Sequence, residues 1–271
     1  MQNIFSCLKA VLIAVFIISN FACDGKMQKK DMVQVVAGEF TMGRDDVEAD
    51  EKPAHKVYLD VYYIDKYEVT NEQYAAFLNS YSSDTVKSGE YAGEQMIQNY
   101  DGFLKNTQGK WQAVNGLENN PVTYVTWYGA NEYAIYNGKA LPTEAQWEKA
   151  ARGSNDGLGY TYSGGNNPDE VGWYVGNSNN ITHPVGQKQA NELGLFDMSG
   201  NVWEWCSDWF DAGYYTNSPN KNPQGPIKGA GRVIRGGSWD VIDEVCRSTG
   251  RYWDYPENWS GGYGFRCVRS K

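Results

Sequence analysis

The chain has 271 residues, among them 30 glycines, 10 tryptophans and 20 tyrosines, and a net charge of −9. That length fits one large domain or two small ones, with enough chain to bury a core of its own; large aromatic anchors amid abundant glycine suit a loop-rich fold better than a helical bundle. The acidic balance argues against nucleic acid or an anionic membrane surface as a partner, because both repel negative charge, and it is compatible with bound divalent cations.

The first 23 residues differ from everything after them. Lys9 precedes the wholly apolar run AVLIAVFII (10–18), which ends in SNFAC. The run is too short to span a bilayer, which takes about 20 residues, but it suits the core of a secretory signal. SNFAC resembles a bacterial lipoprotein cleavage box, with Asn20 and Phe21 standing where leucine and a small residue are usual. Residues 1–23 are therefore read as a signal peptide of lipoprotein type, with Cys23 as the lipidated residue. Residues 24–32 form a polar tether. The expected product is exported, facing periplasm or cell surface, and touches the membrane only through its N-terminal lipid.

Residues 33–271 read as one irregular α+β domain. VQVVAGEFTMG (33–43) and VYLDVYYI (57–64) are rich in β-branched and aromatic residues and each predicts a strand. Thr70 with Gln73 makes a capping box, and Tyr74, Phe77 and Leu78 give the helix that follows an inward face. FLKNTQGKWQAV (103–114) predicts a hairpin turning at Thr107–Gly109. A second helix starts at Thr126 and stops before Gly138, with Ala130, Tyr133 and Ala134 inward. A third has Thr143 as N-cap, Gln146 completing its box and Gly153 as its stop, with an apolar stripe of Trp147, Ala150 and Ala151. From Gly153 onward glycine, asparagine, proline and tryptophan dominate, with short strands such as RVIRGGSW.

Beyond Cys7 and Cys23, three cysteines remain: Cys206, Cys246 and Cys267. In an oxidising compartment two of them could pair, leaving one thiol, and a buried apolar thiol is the other reading of Cys246. A reactive Cys246 would need nearby cations to lower its pKa. Arg247 and Arg251 are close in sequence, but Asp243 and Glu244 are closer.

Six segments occur in a characteristic order: GEFTMG (38–43), EVTNEQYAAFLN (68–79), NPVTYVTWYGANEYAIYNGKALPTEAQWEKAARG (120–153), NELGLFDMSGNVWEWCSDW (191–209), GRVIRGGSW (231–239) and GFRCVR (264–269). In this the chain resembles the formylglycine-generating enzyme, or sulfatase-modifying factor, family. The resemblance implies a C-type-lectin-like variant fold with little regular secondary structure. It also implies oxidation of a sulfatase cysteine to formylglycine by copper(I) and dioxygen, with two thiolates suited to a soft metal. Of the family's two copper cysteines, the second falls on Cys246 and the first on Val241, which has no metal-binding atom. The family's substrate-contacting arginine falls on Asp243, and an asparagine before the GFR segment falls on Gly262. Ser238 and Trp203 match pocket residues, Ser238 catalytic and Trp203 substrate-binding.

The resemblance further implies a calcium site made by Asp197, Glu204 and the backbone carbonyls of Gly200 and Val202, hard oxygens of the kind calcium takes. The alternative from the residues themselves is that Asp197 caps a turn and Glu204 pairs with an arginine. The family's other calcium site falls in an altered stretch (171–186), where Asn177 is the remaining candidate. His55 and His183 are the only histidines, too few for a three-histidine iron centre and poor material for zinc. No nucleophilic GxSxG elbow is present. The sequence therefore leads to an expectation of a calcium-stabilised binding or scaffold domain that engages an envelope protein or glycan and has lost its copper pair. The alternative is an active oxidase acting on a sulfatase-type polypeptide.

Overall fold

The computed structural model describes residues 32–98, 104–153 and 158–271; the signal peptide, Cys23 and all but the last residue of the tether lie outside them. In chain order the elements are β1 (Met32–Val35), β2 (Gly38–Met42), β3 (His55–Leu59), β4 (Tyr62–Asp65), α1 (Asn71–Tyr81), β5 (Leu104–Thr107), β6 (Lys110–Ala113), α2 (Trp127–Tyr136), α3 (Glu144–Ala151), α4 (Pro168–Val171), β7 (Trp203–Trp209), β8 (Arg232–Arg235), β9 (Arg251–Asp254), β10 (Tyr263–Gly264) and β11 (Val268–Ser270). Among the described residues no helix is long and apolar enough to cross a membrane.

Two of the predicted strands each break in two. β1 and β11 both run antiparallel to β4, whereas β2 pairs with β3 in a separate ribbon. The reason lies in the side-chain period. In one unbroken strand Val35 and Phe40, five residues apart, would face opposite ways, yet both are buried. A corner between them, at exposed Val36, turns both inward. The same holds for Leu59 and Tyr62, buried on either side of Asp60 and Val61. The hairpin also differs from expectation: its turn is the two-residue Gln108–Gly109, with Thr107 still in β5. Both turn residues have positive φ, 54° and 78°, the twist that best matches an antiparallel pair. Phe103 lies outside the described residues.

The helices start where their caps place them. Thr70 and Thr143 each accept from the backbone N–H three residues on, and Gln73 and Gln146 reach back to complete the boxes. Thr126 caps α2 by accepting from Gly129. α1 and α2 bring Tyr74, Phe77 and Tyr133 into one aromatic core with Phe265, while Trp147, Ala150 and Ala151 of α3 join a second with Val57, Ile64 and Val233.

α3 is buried well beyond its apolar stripe: Glu144, Glu148 and Lys149 are inside as well. The two glutamates are matched by arginines from the sheet β10–β7–β8–β9, whereas Lys149 donates to the carbonyls of Val36 and Gly38. Arg235 of β8, fully buried, reaches Glu144 at 3.0 Å and Glu148 at 2.7 Å, and donates to the carbonyls of Ser248 and Thr249. Arg251 of β9 adds two bonds to Glu144, at 2.6 and 2.9 Å. Glu148 also accepts from the Gly43 N–H at 2.8 Å and from Arg152. One fork thus ties α3, β8 and β9 together, and the backbone after β2 is fastened to it.

Breaking such a network by removing one partner strands the others in low dielectric. Arg235→Leu is expected to cost about 3–5 kcal/mol, against about 1 kcal/mol for Thr143→Ala at the cap of the same helix; urea unfolding of the two variants checks the order. A second expectation concerns Asp208, which accepts from the Glu144 N–H and from Ser207 Oγ. Burial, and then the Glu144 charge, push its pKa up to about 7. An acid raised in the folded state holds its proton there more tightly than in the unfolded chain. Its contribution is therefore fully present below pH 4 and lost as pH rises towards 7. Unfolding free energies measured at pH 5 and pH 8 should fall by on the order of a few kcal/mol, and Asp208→Asn should flatten that fall.

Candidate functional site

The site gathers around two tight turns that cross-link each other. One is the glycine pair after β8. Gly236 and Gly237 have φ of 97° and 76°, which only glycine adopts cheaply. A Cβ on Gly237 would collide with Cys246 Sγ, and one on Gly236 would press on the Trp147 ring. The other turn carries Gly200, φ 86°, where a Cβ would strike the Trp173 carbonyl. Gly200 N–H donates to Gly236 O at 2.7 Å, and Trp239 N–H to Asn201 O at 2.9 Å. The GNVW and RGGSW motifs thus form one rigid unit.

Cys246 closes a short 3-10 turn, Asp243–Cys246. Its thiol packs with Tyr162 and Val171, and with Tyr174 and Val241 against them. The Val241 side chain therefore lies on the same small apolar cluster as the sulfur. Burial, and then the Asp243 carboxylate, push the Cys246 pKa up to about 12, so the thiol stays protonated. Asp243 is anchored by Tyr162, whose hydroxyl donates to it at 3.0 Å. Cys206, Cys246 and Cys267 are all free and buried, and each belongs to a different core cluster. The expected option of a disulfide among them is corrected on that ground: the fold keeps the three sulfurs in separate packings. A copper(I) centre needs soft donors in a set, and around Cys246 the set is a single sulfur with valine beside it. The residues present do not fit that metal.

Ser238 is fully buried, and its hydroxyl donates to Asp240 Oδ1 at 2.5 Å. A Cβ at Gly262 would come within 3.1 Å of both Ser238 Oγ and Asp240 Oδ1, so little room is left for an asparagine there. Trp203, nearly buried, faces Tyr252 with ring centroids 5.6 Å apart. Ser238 and Trp203 flank Gly262, whose carbonyl accepts the Trp203 N–H at 2.7 Å. The two matched pocket residues are therefore brought together.

Beneath them is a cluster of buried carboxylates. Glu204 accepts from Arg266 Nε and Nη2, at 2.7–2.9 Å, and from the Trp147 indole at 2.9 Å. Asp197, in the left-handed region at φ 57°, accepts the Gly186 N–H on Oδ2 at 2.6 Å. Its Oδ1 is buried with no partner among the described residues. Glu68 accepts from the Val202 N–H and from Asn201 Nδ2. Burial pushes Asp197 up to about 6. Burial, followed by the charges of Asp197 and Glu204, holds Glu68 well above the usual carboxylate range. Here three carboxylates share the one guanidinium of Arg266. An excess of buried negative charge beside an orphan carboxylate oxygen fits a hard cation at Asp197. Glu204, in contrast, already has both oxygens engaged. Among the described residues no three His, Cys, Asp or Glu side chains converge on a metal position, so carbonyl oxygens such as those of Gly200 and Val202 would complete any such site.

The remaining candidates are tied up locally. Asn177 accepts from the Tyr174 N–H and donates to Asp169 and to the Gly172 carbonyl. His183 stacks on Trp173 at 3.7 Å, and His55 packs against Tyr215 at 4.8 Å. Glu68, Asp240, Tyr162 and Arg266 were missed as site residues. Glu68 and Arg266 stood inside the quoted EVTNEQ and GFR segments, but their partners, Asn201 and Val202 for the first and Glu204 for the second, lie far along the chain and leave no trace in spacing.

The sulfatase-modifying factor enzyme 1-like domain model matches residues 19–271. The formylglycine-generating enzyme of Streptomyces coelicolor is 35% identical over 88% of this chain and 89% of its own length. The serine/threonine-protein kinase pkn1 of Chlamydia caviae is 34% identical over 99% of this chain, which spans only 43% of that protein. Among solved structures, PvdO from Pseudomonas aeruginosa superposes with a TM-score of 0.70 at 26% identity, covering 89% of this chain and 94% of that one. With its α+β, C-type-lectin-like fold and its cross-linked GNVW and RGGSW turns, the chain belongs to the sulfatase-modifying factor, or formylglycine-generating enzyme, family.

Proposed function

We propose that this domain is a calcium-stabilised binding or scaffold module of the bacterial envelope, not a copper oxidase. The observation that carries the reading is the setting of Cys246. Its sulfur is buried beside Val241, with no second thiol in its cluster and with carboxylates rather than cations nearest to it. An oxidase of this type requires two thiolates that can share a soft ion, and neither Cys206 nor Cys267 belongs to that cluster. What is retained is the scaffold: the glycine turns, the Glu204–Arg266 pair and the nearly buried Trp203. The signal and Cys23 in the sequence support export and lipid anchoring. The Asp197 oxygen and its neighbouring carboxylates support calcium. Calcium would act there by neutralising buried charge and clamping the GNVW turn, with no role in bond making.

The direct test is turnover by the reduced domain with copper(I), oxygen and a sulfatase-type peptide carrying a Cys-x-Pro-x-Arg core, followed by mass spectrometry. No conversion of the cysteine to formylglycine is expected. Copper-dependent conversion abolished by Cys246→Ala would sink the binding reading. In the native domain a thiol reagent should leave Cys246 unlabelled at pH 8 and label it on unfolding, because the protonated buried thiol is a poor nucleophile.

Calcium should raise the melting temperature of the chelated domain. At a hundredfold excess over Kd the gain is about 2.7 kcal/mol, or roughly 5 °C or more for a chain of this size. Asp197→Asn should fold yet lose that rise. Glu204→Ala is expected to be unstable with or without calcium, since it leaves Arg266 buried and unpaired. A full calcium response in Asp197→Asn would place the ion elsewhere.

A further inference from the structure

We propose that the aromatic surface over this site, formed by Tyr252 and Trp259 beside Asp240 and Asp254, is a docking surface for a cationic polypeptide segment whose lysine or arginine side chains lie on the rings and between the carboxylates. The proposal rests on the binding reading above and names the kind of partner.

Tyr252 and Trp259 are 54% and 41% exposed. Single exposed aromatics are ordinary, but these adjoin the floor of the site. Tyr252 lies over Trp203, and Trp259 meets Tyr124 at 6.0 Å. Tyr124 in turn lies against Gly261, next to Gly262 and the Ser238–Asp240 pair. β9, which carries Tyr252, is an edge of its sheet among the described residues, so no further strand covers that side.

Charge selects the occupant. Asp240 and Glu257 are exposed here, with Asp254 half-buried. Asp254 is fixed by Tyr263, whose hydroxyl donates to it at 2.7 Å, and by Asn258 at 2.7 Å. The arginines nearby are already committed. Arg251 is bound to Glu144 and Arg247 to Glu51, and Arg232 is sandwiched between the Trp127 and Trp209 rings. No lysine occurs between Lys228 and Lys271. The surface therefore offers π faces and carboxylates without a competing cation of its own, the arrangement that favours guanidinium and ammonium groups.

The test is a tryptophan-fluorescence titration of the calcium-loaded domain with an acetylated, amidated oligoarginine peptide. An oligoglutamate peptide of equal length and a neutral glucan oligosaccharide serve as controls. Saturable binding to oligoarginine alone is expected, weakening as salt screens it. Tyr252→Ala and Trp259→Ala should each weaken it about two- to fivefold, the range of an exposed cation–π contact, with unchanged melting temperature. Glu257→Gln should reduce its salt dependence. Oligoarginine binding that both aromatic variants keep intact, or binding of the glucan instead, overturns the proposal. Running the copper turnover assay on the same preparation separates the two readings. Formylglycine formation would refute the binding-module reading itself, whereas no turnover together with no oligoarginine binding would refute only the choice of partner.

Discussion

Two buried arginines hold this fold together. Arg235 and Arg266 are both inaccessible to solvent, and each binds carboxylates from a distant part of the chain: Glu144 and Glu148 for the first, Glu204 for the second. Regular secondary structure is short here, with strands of two to seven residues, so backbone ladders alone supply few links between layers. A guanidinium with five donors can bind carboxylate and backbone carbonyls at once. Arg235 does this with Ser248 and Thr249, and Arg266 with Asp65, Lys66 and Phe196. Each guanidinium acts as a knot where strand, helix and loop meet. Such pairs are weak evidence for net stability against an apolar equivalent, but they are costly to break singly, and here they fix the loops that shape the site.

The same constraint holds the site together. Glu204 on β7 is held from one side by Arg266 and from the other by Trp147, and Trp147 also packs beneath Gly236. The glycine turn, the GNVW turn and α3 are therefore one mechanical unit. The Val241 side chain takes part in none of those contacts. It extends the apolar patch around Cys246 and leaves the geometry of Ser238, Trp203 and Gly262 to the same backbone bonds. A side chain that packs only on this small apolar cluster can change in such a frame at little cost, whereas the buried ion pairs cannot.

What was legible in the sequence follows the range of the interactions. The helix starts at Thr70, Thr126 and Thr143 were readable because a cap is settled within three or four residues. The single strands predicted at 33–43 and 57–64 were not correct, because the break between Val35 and Phe40 depends on which sheet each half joins, a long-range matter. The burial of Glu144 and Glu148 was hidden for the same reason: their buried partners Arg235 and Arg251 lie about ninety or more residues away. The reading of Glu204 as either a calcium ligand or an arginine partner needed Arg266 to be placed first. In the structure the arginine contact is explicit, and the orphan oxygen on Asp197 is the stronger argument for a cation.

The surface above the site carries this reasoning one step further. Where the family resemblance implies an arginine, this chain has Asp243, held in place by Tyr162. Asp240, Asp254 and Glu257 extend the negative charge outward among exposed rings, while the nearby arginines are engaged inside, Arg251 and Arg247 in ion pairs and Arg232 between two tryptophan rings. The two facts are linked. A fold that needs guanidinium groups in its core to join short elements leaves its outer face to carboxylates and aromatics. The internal architecture thus bears on the electrostatic sign of the surface, the feature on which the proposed cationic partner depends.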